Sequence, residues 1–239
     1  MTVKIATVKW GSKYGPEYVN RLYKSIVQKS NLLDLEFWCF TDDKAGIDAK
    51  IICHPLPYAE ELHTWWNKVW LFSDQVPFGP GDKILYIDLD TLVTGDISPL
   101  LTADSKKIIV LKDFYQGIAR TAGNIGSGLL LWNHGDYLHV WKRFYADWQS
   151  ALQQVHPHGD QKWLEINIDG WQHWQDLFPG KVVSFKVDCT NGLPDDARIV
   201  CYHGKPSIPD SAVVTTQCNT AFQRWTINPQ PWVLDYWKD

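Results

Sequence analysis

Two carboxylates, Asp88 and Asp90, close an apolar run in "KILYIDLDTLVTG" (83–95), with one residue between them. A buried unpaired charge is costly, so carboxylates in such a place serve a metal, another cation or a shared proton. In extended chain, residues i and i+2 face the same side, and both side chains reach one ion if the strand runs on through Leu89. Hard divalent cations such as Mg2+ and Mn2+ take oxygen ligands and bridge to substrate phosphates. The pair therefore reads as a metal-diphosphate site, with exposed turn carboxylates as the plain alternative, since Asp also favours turns.

Three other segments carry chemistry. "CYHGKP" (201–206) sets His203 and Lys205 just after a strand-like run, an imidazole to complete a metal shell and an ammonium to meet a phosphate. "HGDQKWLEIN" (158–167) puts Asp160 and Gln161 at a helix start, where a simple N-cap is the alternative. "NIGSGLLLWN" (124–133) supplies small residues that let backbone approach a ligand, or else a strand with a bulge.

The elements that would position these residues follow from periodicity and breakers. Strands are expected at 3–10, 35–43, 83–88, 107–111, 126–132, 181–187 and 198–204. Helices are expected from Pro16, where Val19, Leu22, Tyr23, Ile26 and Val27 recur at helical spacing, over 64–76, from Tyr137 to Leu152, and from Asp160 to Ile166. The last 30 residues read as irregular wrapping. Strands alternating with helices predict an α/β fold around a mostly parallel sheet, with ligands beyond the carboxyl ends of the strands. Asp42, Asp88, Asp90, Asp113 and His203 all fall at such ends, at a mouth rather than within a core.

A length of 239 residues suits one domain, whose strand-helix-strand opening reads as a nucleotide-binding half over about 1–110, with a second half over about 111–239. A net charge of -4 without a Lys/Arg-rich run argues against nucleic acid as a partner. No apolar run has the length of a membrane span, and the N-terminus lacks the order of a secretion signal, so a cytoplasmic protein is expected. Five widely spaced cysteines suggest buried thiols rather than disulfides or zinc. Fourteen tryptophans offer flat rings for sugar faces, but packing is the favoured reading for each.

"WNKVWLF", "KILYIDLDTLVTGDISPLL", "GSGLLLWN", "GDQKWL" and "YHGKP", in that order, resemble the GT-A glycosyltransferases of the glycogenin and lipopolysaccharide-galactosyltransferase type, family 8 and its bacterial relatives. The resemblance covers about residues 3–206, and "VKWGSKYGPEYVNRLYKS" resembles a bacterial subgroup of them. It implies a GT-A fold and metal-dependent transfer of a hexose, with retention, from a nucleotide diphosphate sugar, most simply UDP-linked, to a hydroxyl acceptor. It further implies Asp88, Asp90 and His203 as ligands of Mn2+ or Mg2+, Asp88 also lying near the ribose, and Lys205 on the diphosphate. Lys68 matches a basic residue beside the donor, Asp113 a carboxylate on donor-sugar hydroxyls, Asp160 and Gln161 the pair near the anomeric carbon, and Tyr14 an aromatic that stacks on uracil. Two departures stand out. The family's N-S-G is Gly126-Ser127-Gly128 here, so its amide contact to the donor sugar is missing unless Asn124 replaces it, and its longer H-G-x-G-x-K-P is compressed to "HGKP".

Rival readings are an aspartyl-phosphate phosphatase using Asp195 and Asp196, an iron oxygenase drawing on the two "HGD" segments with His203, and a sugar-binding module without turnover.

Overall fold

The computed structural model describes residues 3–30, 35–103, 106–115, 123–219 and 224–238. Residues 1 and 2 of the N-terminal segment and 220–223 of the C-terminal tail lie outside the described residues.

Strands β1 (Val3–Lys9), β2 (Leu35–Thr41), β3 (Ile52–Pro55), β4 (Lys83–Ile87), β6 (Ile109–Lys112), β7 (Ile125–Asn133) and β8 (Gln172–His173) form one sheet in the order β3-β2-β1-β4-β7-β6-β8. All pairs are parallel except those of β7, which runs antiparallel to both β4 and β6. A small second sheet pairs β10 (Ile199–Cys201) antiparallel with β5 (Thr91–Val93) and parallel with β9 (Val182–Ser184).

Side-chain alternation sends each central strand into two cores. In β4, Leu85 and Ile87 join helix α1 (Pro16–Lys29) and the small sheet, while Ile84 and Tyr86 face a 3-10 helix (Thr64–Phe72) and helix α3 (Leu138–Ala146). In β7, Leu129 and Leu131 face the first core and Leu130 and Trp132 the second. Tyr86 and Asp88, two residues apart, thus lie on the side where the 3-10 helix brings Lys68.

Five expectations are corrected. The segment 64–76 is a 3-10 helix of nine residues rather than an α-helix, opened by Thr64 at φ 58 and buried from Trp66 to Phe72, so packing on nearly every side overrides the helical period. The long helix from Tyr137 breaks at Asp147, whose side chain accepts from Ser150 N at 3.1 Å and starts helix α4 (Trp148–Val155) instead. The strand expected over 181–187 stops at Ser184, which caps the short helix α7 (Phe185–Asp188) by accepting from Val187 N at 3.2 Å. The tail is ordered into helix α8 (Ile208–Val213), a hairpin of β11 (Thr216–Asn219) and β12 (Arg224–Ile227), and a 3-10 turn (Pro231–Asp235). Finally, strand β4 ends at Ile87. The chain bends at Leu89, which is buried, and passes into β5 of the other sheet.

Asp160 to Ile166 is helical as expected, within α5 (Gly159–Asn167). Trp66, Trp70, Trp163 and Trp174 are buried, in line with the packing reading, whereas Trp65 is half-exposed. None of the five cysteines forms a disulfide. Among the described residues no helix is long and apolar enough to cross a membrane.

Candidate functional site

Strand order reverses between β1 and β4, since β1 pairs with β2 on one side and β4 on the other. A crevice opens beyond the carboxyl ends of such a pair. It is a cavity of about 430 Å3 lined by Trp10, Lys13 and Tyr14 of the loop after β1, by Trp65 and Lys68, and by Tyr86, Asp88 and Asp90. A second cavity of about 330 Å3 shares Asp88 and Asp90 and adds Asp113, Phe114, Ser127, Gln161 and His203. The two carboxylates stand where the cavities meet.

Asp88 follows directly from β4, its backbone N–H donating to Gly128 O at 2.9 Å. Its carboxylate accepts from the Tyr86 hydroxyl and lies 3.3 Å from Lys68 Nζ. A Cβ on Gly128 would stand 3.0 Å from Asp88 Oδ2, so the small residues of β7 do serve close approach. Gly128→Ala is therefore expected to displace the Asp88 carboxylate and weaken ligand binding, with little loss of melting temperature; unchanged affinity would show that the carboxylate tolerates the shift.

Asp90 accepts from the Tyr14 hydroxyl at 2.8 Å. Burial, then the charge of Asp88, push its pKa up to about 6, against the opposing pull of Tyr14, Lys13 and Lys68. Tyr14 in turn is held far above the usual phenol value by burial and by Asp90, so it acts as a donor. Its ring packs on Tyr18 at 4.8 Å, and Lys13 Nζ lies 4.6 Å from the ring centroid.

Lys68 is buried between three acidic or carbonyl partners: Asp160 Oδ2 at 3.0 Å, Asp88 Oδ1 at 3.3 Å and Ser127 O at 3.3 Å. Burial alone would lower its pKa, but Asp160 and then Asp88 outweigh it and raise the value above the usual lysine range. Asp160, also buried, is committed to this ion pair rather than to capping α5, whose N-terminus has no side-chain cap. Gln161 Nε2 reaches Asp113 Oδ2 at 3.4 Å, and Asp113 also accepts from Tyr115 N and Gly123 N, both at 2.9 Å. Asn124 is engaged by Glu165 and does not line the second cavity, so it is not placed as the replacement amide.

His203 stacks on Phe114 at 5.6 Å and meets the Ser184 hydroxyl through Nε2 at 2.8 Å. Burial, then Lys186, bring its pKa down to about 4, so the ring is neutral. Lys205 is exposed. His203 lines the same cavity as Asp88 and Asp90, while among the described residues no three His, Cys, Asp or Glu side chains form a group able to hold a metal. The carboxylate pair by itself still suits a hard ion that keeps waters and phosphate oxygens as its other ligands. The rival sites fare worse: Asp196 pairs with Lys181 at 2.9 Å, and His134 is buried against Ser73 O at 3.0 Å.

Sequence reasoning missed Tyr86, Lys13, Ser184 and Lys186. Tyr86 had a signal, two residues before Asp88 on the same strand face; the others depend on how loops return to the sheet ends.

The fold matches solved glycosyltransferases. The galactosyltransferase LgtC, in complex with donor and acceptor sugar analogs, is similar over 87% of this chain and 89% of its own, with 15% identity and a TM-score of 0.61. The glycosyltransferase GlyE of Streptococcus pneumoniae TIGR4 is similar over 99% of this chain and 60% of its own, with 15% identity and a TM-score of 0.64. The bifunctional WbbM in its apo form is similar over 99% of this chain and 51% of its own, with 12% identity and a TM-score of 0.60. The chain thus spans less than two thirds of the length of the latter two. No protein-family model and no curated protein matches the sequence. The likeness establishes the fold: an α/β architecture with a mostly parallel central sheet, shared with these GT-A type glycosyltransferases.

Proposed function

We propose that the chain transfers a hexose from a nucleotide diphosphate sugar, UDP-linked, to a hydroxyl acceptor, with retention at the anomeric carbon. The observation that carries this reading is the meeting of two cavities at the Asp88–Asp90 pair. The larger one, with Trp10, Tyr14 and Lys13, offers rings to a base and positive charge to phosphates. The smaller one, with Asp113, Gln161 and Ser127, offers acceptors and donors to sugar hydroxyls.

Asp88 and Asp90 would hold a divalent cation, Mn2+ or Mg2+, which supplies charge neutralisation at the diphosphate. Tyr14, through its hydroxyl, fixes the Asp90 carboxylate, and Lys68 with Tyr86 fixes that of Asp88. In the reaction the anomeric C–O bond to the diphosphate breaks, its electron pair leaving on the β-phosphate. The acceptor oxygen forms the new bond, and its proton passes to the departing diphosphate. Gln161 and Asp113, hydrogen-bonded to each other in the smaller cavity, would set polar groups beside the anomeric carbon, and Asp160, held by Lys68 outside both cavity linings, would act there through Lys68. A glycan acceptor and a single catalytic domain complete the reading.

Thermal melting with Mn2+ or Mg2+, alone and with UDP, GDP and their sugar conjugates, tests it. UDP with metal is expected to raise the melting temperature more than either alone, and the sugar conjugate that shifts it furthest names the donor. A folded protein that no nucleotide stabilises would sink the transferase reading. Release of free sugar from the donor without acceptor separates a transferase from a binding module, which would leave the donor intact.

A further inference from the structure

We propose that Lys186, rather than the Lys205 that the "HGKP" motif nominates, is the cation that binds the donor diphosphate and steadies it as it departs. The assignment rests on the nucleotide-sugar reading above.

The small sheet sets three chain segments side by side, and two of them, at Asp90–Thr91 and at Cys201–His203, line the second cavity. Asp90 precedes β5, whose Thr91 pairs with Cys201 of β10, and Tyr202 N donates to Asp90 O at 3.0 Å. On the other flank of β10, Cys201 pairs with Ser184 of β9. The Ser184 cap ends β9 there and turns the chain into α7, which carries Lys186 across the exit of β10. Its Nζ stands 3.6 Å from where a Cβ on Gly204 would lie, next to His203. Trp225 of β12 backs the ammonium, 5.0 Å from the ring centroid, and so limits where it can swing.

This lysine is half-buried, and no carboxylate among the described residues forms an ion pair with it. Burial lowers its pKa, offset in part by Cys218 and Asp90, and its charge also depresses that of His203, so its field reaches both neighbouring candidate ligands. A half-buried ammonium with no ion-pairing carboxylate among the described residues, beside the Gly204 that follows His203 of the second cavity, calls for an anionic ligand. Lys205, by contrast, is exposed, and the shortened loop gives it no intervening residues beyond Gly204 over which to fold back.

Isothermal titration of the full chain in Mn2+ buffer with UDP, inorganic pyrophosphate and uridine tests the assignment. Lys186→Met is expected to weaken UDP and pyrophosphate by about ten- to a hundredfold, the loss of one charge-assisted contact, and to leave uridine unchanged. Lys186→Arg should retain most of the affinity, and Lys205→Met should stay within about threefold of the wild type. As a readout independent of any variant's folding, saturating UDP should shield Lys186 of the wild-type protein from acetic anhydride and leave Lys205 reactive. Undiminished UDP affinity in Lys186→Met, or labelling of Lys186 unaffected by UDP, would overturn the assignment and spare the nucleotide reading. A wild-type protein that binds neither pyrophosphate nor any nucleoside diphosphate would overturn both.

Discussion

Asp90→Asn is expected to cut sugar transfer by about a hundred- to a thousandfold, the scale on which a single charge-stabilising group is felt, while leaving the metal-free melting temperature equal to or above that of the wild type. The two halves of this expectation have one cause. Asp88 and Asp90 share a confined mouth, and burial with mutual repulsion makes the ionised pair costly until a cation arrives. Asn keeps an oxygen to accept from the Tyr14 hydroxyl and removes the repelling charge. The metal-free fold then loses nothing, and the proposed cation site loses one of its two carboxylates. Kinetics at saturating Mn2+ and a metal-free melt settle the matter together. Activity near wild type would take the D-x-D pair out of the chemistry, and a fall in melting temperature would show that the Asp90 charge is structural.

Much of this site was legible because strand periodicity is a robust signal and carboxylates at strand ends are rare enough to notice. The run from Lys83 to Ile87 forms the strand it predicts, and Asp88 and Asp113 lie at the ends of β4 and β6. The expected reason for the approach of Asp88 and Asp90 was wrong, however. They meet through a bend that buries Leu89 and switches the chain between sheets, not through a continued strand. Capping decided the other misses: Asp147 and Ser184 each accept from a backbone N–H three residues on, and each overrides a longer apolar period. Lys186 was invisible for that reason. Within a strand over 181–187 it would be one more alternating side chain, and only the Ser184 cap turns it toward the exit of β10. The role of Asp160 was half legible, since its place at the start of α5 was clear but its partner, Lys68, lies 92 residues earlier in the chain.

Lys68→Met should destabilise the protein by about 3–5 kcal/mol, the range found when one member of a buried ion pair is removed. Lys68 and Asp160 are both buried, and the ammonium also answers Asp88 and the Ser127 carbonyl. Met fills much of the same volume, so the loss is one of charge compensation, with Asp160 left buried and without its partner. The double variant Lys68→Met with Asp160→Asn removes that stranded charge and should regain about 1–3 kcal/mol over the single change, a coupling typical of residues in contact. Urea denaturation of the four proteins of this cycle measures it. Additive losses would mean that the two groups do not depend on each other, and a nearly unperturbed Lys68→Met would mean that the buried ion pair contributes little to stability. The same cycle bears on function. If Lys68 anchors Asp88 as well, Lys68→Met should also lose the proposed transfer activity when its stability is restored by Asp160→Asn, because the anchor of the Asp88 carboxylate is still missing.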